Sequence, residues 1–243
     1  MKLADKFNAD GDFLFRYRGQ IPLILFLIAV PVCYVTDYNE YPHSLQNILF
    51  WLSIAISICG FIIRSIVIAL TPKGTSGGNR KKQVAESLNT TGIYSIVRHP
   101  LYLCNFLIWA GITLFLMNIW FFVIVCLLFW LYYERIMYTE EQFLEQKFGN
   151  KFNEWCKTVP AFFPNLRLYK ADNETFSVKR VLKREYSTLL STIAAFVYVG
   201  LIKDMIHLTP FHFKWPYLYL VLTAICIALI LRTIKHHTRL LKE

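Results

Sequence analysis

Tyr94, Arg98, His99 and Tyr102 crowd around Pro100 at the head of a hydrophobic run, and Glu140 and Glu141 stand side by side where a later hydrophobic run ends. An arginine presents a planar fork of donors suited to a carboxylate or a phosphate. A histidine ahead of a proline is biased to an extended backbone, so its imidazole could meet a polar ligand from a fixed position. Adjacent carboxylates beside apolar surface suit a cation or the hydroxyls of a ribose. Each has a plainer reading: Arg98 snorkelling to lipid phosphate, His99 as a satisfied structural histidine, and Glu140 with Glu141 as a solvated helix end. Their gathering at the rim of hydrophobic segments, where polar groups are costly to desolvate, points to function.

The elements that must position these residues are membrane helices. Of the 243 residues 56% are hydrophobic and 17% charged, against about 25% charged in soluble domains. With a mean hydropathy of +0.41 this is the composition of an integral membrane protein. Hydrophobic runs lie at about Ile21–Val35, Leu45–Leu70, Leu101–Met117, Ile119–Tyr138, Tyr186–Ile206 and Tyr217–Leu231. A helix crosses a bilayer with about 20 apolar residues, so the expected fold is an all-α, polytopic transmembrane bundle of about six spans with a cytoplasmic cap. The first run, with Pro22 and Pro31, is the weakest of these spans.

A net charge of +10 would point to nucleic acid in a soluble chain; here its distribution matters more, and no nucleic-acid partner is expected. Lysine and arginine number four before the first run, five in the 71–100 loop, ten in 134–185 and four in the tail. The alternate loops carry only Lys203 and Lys214, and Arg64 lies inside the second run, near enough to its end to snorkel. This asymmetry predicts a multi-pass protein with both termini and both large polar loops in the cytoplasm. The six cysteines are scattered without a CxxC pair, so neither a disulfide framework nor a metal site is expected.

Met117-Asn118 leaves room only for a tight turn, which makes the third and fourth runs an antiparallel hairpin. The hairpin returns Glu134, Glu140 and Glu141 to the membrane face of Arg98 and His99. Beyond it the helix should stop at Gly149, and Lys151–Trp155 suggests a short amphipathic helix closed by Val159-Pro160 and Phe163-Pro164. Phe148, Phe152, Trp155, Phe162 and Phe163 would suit a cap dipping into the headgroup region. The glycine-rich, basic stretch from Thr71 through Lys82 lacks a P-loop ending, and is either a ligand-approaching loop or a solvated one at the anionic leaflet. In this organisation residues 1–185 form the core and 186–243 add a C-terminal pair of helices.

The ordered set Gly92, Tyr94, Arg98-His99-Pro100, Tyr102, Glu140-Glu141, Leu144, Phe148-Gly149, Phe152, Trp155 and Val159-Pro160 resembles the membrane methyltransferase superfamily of isoprenylcysteine carboxyl methyltransferases and phospholipid N-methyltransferases. The resemblance covers about residues 45–165. It implies S-adenosylmethionine as methyl donor, with Gly92, Tyr94, His99, Tyr102, Glu140 and Glu141 binding it. It also implies a membrane lipid or lipid-linked acceptor held by Arg98 and Lys157. Arg98 and Glu141 are the expected catalytic residues. An ionised carboxylate or phosphate acceptor needs no base, whereas an amine would, and Glu141 is then the candidate. Oxygen and nitrogen acceptors both stay open.

Two departures from the family pattern matter. Cys104 stands where relatives commonly have glycine, and Thr158 where prenylcysteine enzymes often carry arginine. The second, with the extra C-terminal helices, favours a lipid headgroup over a prenylated protein. Two rival readings remain. Phe148-Gly149, Phe152, Trp155 and Val159-Pro160 also resemble the C-terminal motif of NADPH-dependent membrane sterol reductases, but Leu103-Cys104-Asn105 lacks their acidic residue. A transporter or scaffold would place polar residues deep in several spans, and only Arg64 and Asn105 do so here.

Overall fold

The computed structural model describes residues 2–71, 83–172, 174–207 and 215–237. Most of the basic glycine-rich loop therefore lies outside the described residues, as does Lys214. Eight helices follow in order among the described residues: α1 Leu3–Arg16, α2 Ile24–Val35, α3 His43–Leu70, α4 Pro100–Phe115, α5 Ile119–Phe148, α6 Asn150–Thr158, α7 Val178–His207 and α8 Trp215–His237. The fold is all-α and polytopic.

Helices α3, α5, α7 and α8 are long and apolar enough to cross a bilayer, and a fifth crossing is counted if α1 and the Ile21–Val35 run form one bent span. The 16 residues of α4 extend about 24 Å, short of the roughly 30 Å hydrocarbon core. Helix α5 is the opposite case. Its 30 residues extend about 45 Å, so its charged end from Glu134 onward projects beyond the apolar section. Large side chains such as Leu27, Trp120 and Leu127 stay exposed on the protein surface, as a lipid-facing exterior requires.

The chain divides into two compact units, 1–24 with 70–103 and 126–175, and 25–69 with 104–125 and 176–243. In the second unit α3 and α4 pack through small residues. Ser53, Ser57 and Gly60 recur at helical spacing on α3, and Ser57 Oγ donates to the Ile108 carbonyl at 2.9 Å. A Cβ on Gly60 would sit 2.8 Å from the Cys104 carbonyl oxygen, so the close approach that a glycine at 104 would permit comes from α3 instead.

The turn between α4 and α5 is as tight as expected. Met117 takes a φ of 58°, and Asn118 caps α5 by accepting from the Phe121 N–H at 2.9 Å. Tyr38 donates to the Leu116 carbonyl at 2.9 Å and Lys203 to the Phe115 carbonyl at 3.1 Å, which ties the turn to the segment after α2 and to α7. Arg64 does not snorkel. It donates from Nε to Glu185 at 2.8 Å and from Nη1 to Asn105 at 2.8 Å, so the two mid-span polar residues noted in the sequence satisfy each other.

Candidate active site

The site lies within the first unit and begins with backbone. Arg98 and His99 precede α4, whose first residue is Pro100, a position that needs no N–H. Their own N–H groups donate to the Pro160 and Ala161 carbonyls at 2.9 and 3.1 Å, and the Asn165 N–H donates to the Ile96 carbonyl at 2.9 Å. Pro160-Ala161, just past the end of α6, thus becomes the strip on which the Arg-His pair is mounted.

Gly92 starts this segment with φ 57° and ψ −133°, backbone reserved for glycine, and its N–H donates to the Lys170 carbonyl at 2.9 Å. A Cβ there would stand 3.0 Å from Asp172 Oδ2, so the glycine makes the turn and its α-carbon faces that carboxylate. Tyr94 packs against Leu88, Phe152, Trp155 and Val159, and its carbonyl accepts from the Trp155 indole at 3.2 Å. The aromatic residues of α6 therefore build the wall behind the site.

Five of the eight residues expected from the sequence meet in one network. His99 Nε2 lies 2.8 Å from Glu141 Oε1, and its Nδ1 lies 3.6 Å from Glu140 Oε2. Tyr102 donates to Glu140 Oε1 at 2.6 Å. Arg98 pairs through Nη2 with Glu141 Oε1 at 3.0 Å, and donates through Nη1 to the Cys156 carbonyl at 3.0 Å. Burial works against a charge on His99, but hydrogen bonds and charges from Glu140 and Glu141 outweigh it and hold the imidazole pKa above its ordinary value. The two carboxylates on either side of His99 thus favour its charged, doubly donating form. Burial pushes the Cys156 thiol up, which leaves it a poor nucleophile.

Lys157 is not drawn into this network. Its side chain is 68% exposed and pairs with Glu154 at 2.7 Å on the surface of α6. It lines an open cleft of about 400 Å³ together with Cys156, Thr158, Val159, Pro160, Phe163 and Asn165. Cys156 joins the two regions, since its carbonyl holds Arg98.

Sequence reasoning missed Tyr133, whose buried ring packs 4.8 Å from that of Tyr102, and the carbonyls of residues 156, 160 and 161. Tyr133 could have been found seven residues before Glu140, on the same face of one helix. Backbone carbonyls leave no such trace. Among the described residues no group of three or more His, Cys, Asp or Glu is arranged to hold a metal ion.

A phospholipid methyltransferase family model matches residues 48–151, which include Arg98, His99, Glu140 and Glu141. Protein-S-isoprenylcysteine O-methyltransferase B of Arabidopsis thaliana is 31% identical over 137 residues, 54% of this chain and 68% of that protein. The nickel-cobalt-cadmium resistance protein NccN of Alcaligenes xylosoxydans xylosoxydans is 26% identical over 162 residues, 67% of this chain and 71% of that protein. The cobalt-zinc-cadmium resistance protein CzcN of Cupriavidus metallidurans is 38% identical over 87 residues, 36% of this chain and 40% of that protein. No solved structure matches. The ordered motifs, the helical membrane fold and these relatives agree: the chain belongs to the superfamily of isoprenylcysteine carboxyl methyltransferases and phospholipid methyltransferases, integral-membrane enzymes that use S-adenosylmethionine.

Proposed function

We propose that the protein transfers a methyl group from S-adenosylmethionine to an ionised, lipid-linked acceptor, with a carboxylate as the favoured group, at the cytoplasmic face of its membrane. The observation that carries this reading is the engagement of Glu141. Its Oε1 accepts from both His99 and Arg98, so it is a poor general base for an amine. A carboxylate already holds the attacking lone pair and needs no proton removed. A phosphate would meet the same condition; the carboxylate is favoured over it because protein-S-isoprenylcysteine O-methyltransferases are among the similar proteins, which outweighs the arginine missing at Thr158.

The residues fit the methyl donor on the chemistry of their polar groups. Glu140 and Glu141 keep about a quarter of their side chains exposed, 26% and 25%, and so retain edges for an ammonium or ribose hydroxyls. Arg98 Nε is buried without an acceptor, a donor suited to an anion. When bound, S-adenosylmethionine supplies an activated methyl group on a sulfonium. His99 and Tyr102 fix the two carboxylates, Arg98 holds an anionic group, and Lys157 at the cleft rim draws anionic acceptors in. Positive charge on both large loops supports the cytoplasmic placement.

Calorimetric titration of the purified protein with S-adenosylhomocysteine, beside NADPH, tests the cofactor. Saturable binding of the first alone is expected, and binding of NADPH alone would replace the reading with a reductase. Labelled methyl donor offered with N-acetyl-S-farnesylcysteine or with phosphatidylethanolamine vesicles tests the acceptor. Base-labile label on the carboxylate is expected, and base-stable label on the amine would overturn that part.

A further inference from the structure

Helix α1 precedes the family-matched region, yet within the first unit it packs on the part of α5 that carries the glutamates. Gly11 makes the contact possible. A Cβ there would collide with the Thr139 hydroxyl and the Arg135 carbonyl, which explains a glycine in the middle of a 14-residue helix. Around it Phe7 meets Tyr138 edge-on at 5.8 Å, and the Arg135 guanidinium lies 5.0 Å over the Phe7 ring. Tyr132 donates to the Leu14 carbonyl at 3.2 Å, so the last turn of α1 is fastened as well. Phe15 is buried, and Arg18 lies 4.0 Å over its ring.

These contacts lead to the site by two short routes. Thr139, which Gly11 touches, is the residue before Glu140. Tyr132, which holds α1, packs at 5.0 Å on Tyr133, which packs at 4.8 Å on Tyr102, whose hydroxyl donates to Glu140 at 2.6 Å.

We propose that α1 sets the position of Glu140 in the methyl-transfer site, with Gly11 and Tyr132 as positioning residues acting through Thr139 and the Tyr132–Tyr133–Tyr102 ring contacts. This rests on the site assignment above. The contacts of Gly11 with Thr139 and Arg135, and of Tyr132 with Leu14 and Tyr133, reach the network only through the neighbours of Glu140.

The test compares full-length protein in nanodiscs with Gly11→Leu, Tyr132→Phe and, as a control on the outer face of α1, Phe13→Ala. The readouts are S-adenosylhomocysteine affinity, turnover, KM for the methyl acceptor and thermal midpoint. Displacing a positioned group by about 1 Å can cost about 100-fold in rate. Gly11→Leu should therefore weaken S-adenosylhomocysteine binding and lower turnover at least tenfold while the acceptor KM holds. Tyr132→Phe, which keeps the ring and loses one hydrogen bond, should show the same split at a few-fold. Phe13→Ala should show neither effect. If Gly11→Leu fails to fold, Tyr132→Phe decides alone. Wild-type binding and turnover in the variants would overturn the proposal, as would losses that merely follow the thermal midpoint. Failure of the wild type to bind S-adenosylhomocysteine would instead remove the cofactor assignment itself.

Discussion

Glu141 Oε1 receives two donors at once, His99 Nε2 at 2.8 Å and Arg98 Nη2 at 3.0 Å. A carboxylate oxygen with two lone pairs is filled by this arrangement. Adjacent residues of one loop thus grip one atom of α5, and the Pro160 and Ala161 carbonyls keep both from turning away. The rigidity is useful for methyl transfer, where alignment supplies most of what a protein can offer.

The network's strength should depend on pH through His99. Its pKa is raised on folding, so its contribution to stability is complete below the unfolded value of about 6.5 and is lost as pH rises through the folded value. Wild-type thermal midpoints should therefore fall, relative to His99→Gln, as pH climbs from neutral into the alkaline range. A gap between the two proteins that stays constant from pH 6 to pH 9 would mean that His99 is not held as the imidazolium.

Arg98 serves two acceptors in different directions, the Glu141 carboxylate and the Cys156 carbonyl. An ammonium on a flexible stem cannot keep both at guanidinium geometry. Arg98→Lys should retain the charge yet lower kcat/KM for the acceptor about tenfold or more, with S-adenosylhomocysteine affinity changed less. Equal activity of the lysine variant would show that only the charge is used.

In the second unit, Glu185 is 2% exposed and faces Arg64 at 18%. Removing one partner of such a pair strands the other charge, at about 3–5 kcal/mol. Glu185→Ala should therefore lower the thermal midpoint sharply, and Arg64→Leu added to it should recover much of the loss. A double variant no better than the single would assign the effect to packing around Glu185.

Long apolar runs, the Met117-Asn118 turn and the Arg-His and Glu-Glu pairs were legible because each is written in consecutive residues. The hairpin then sufficed to bring the pairs to one end of α4 and α5. The wider extent of α6 and the full 30 residues of α5 were less legible, since polarity marks where the apolar surface ends and not where the helix ends. Arg64 looked like a snorkelling residue because its partner Glu185 lies 121 positions away, just ahead of another apolar run. Lys157 entered through the family resemblance alone, and the direction of its side chain, which pairs with Glu154 at the cleft rim, depends on the rotation of α6, which consecutive residues do not show.

Gly92 separates two explanations for a glycine beside a candidate cofactor site. Its φ of 57° lies where any side chain is strained by about 1–3 kcal/mol, and a Cβ would also press on Asp172 at 3.0 Å. Both effects act locally, on the turn at residue 92 and its stitch to residues 170 and 172. Gly92→Ala should therefore lower the thermal midpoint while properly folded protein still binds S-adenosylhomocysteine at near wild-type affinity. Adding Asp172→Ala removes the contact but leaves the backbone strain, so it should recover only part of the stability. An affinity loss much larger than the stability loss would instead mean that the glycine is needed for close approach of the ligand, as the sequence alone allowed.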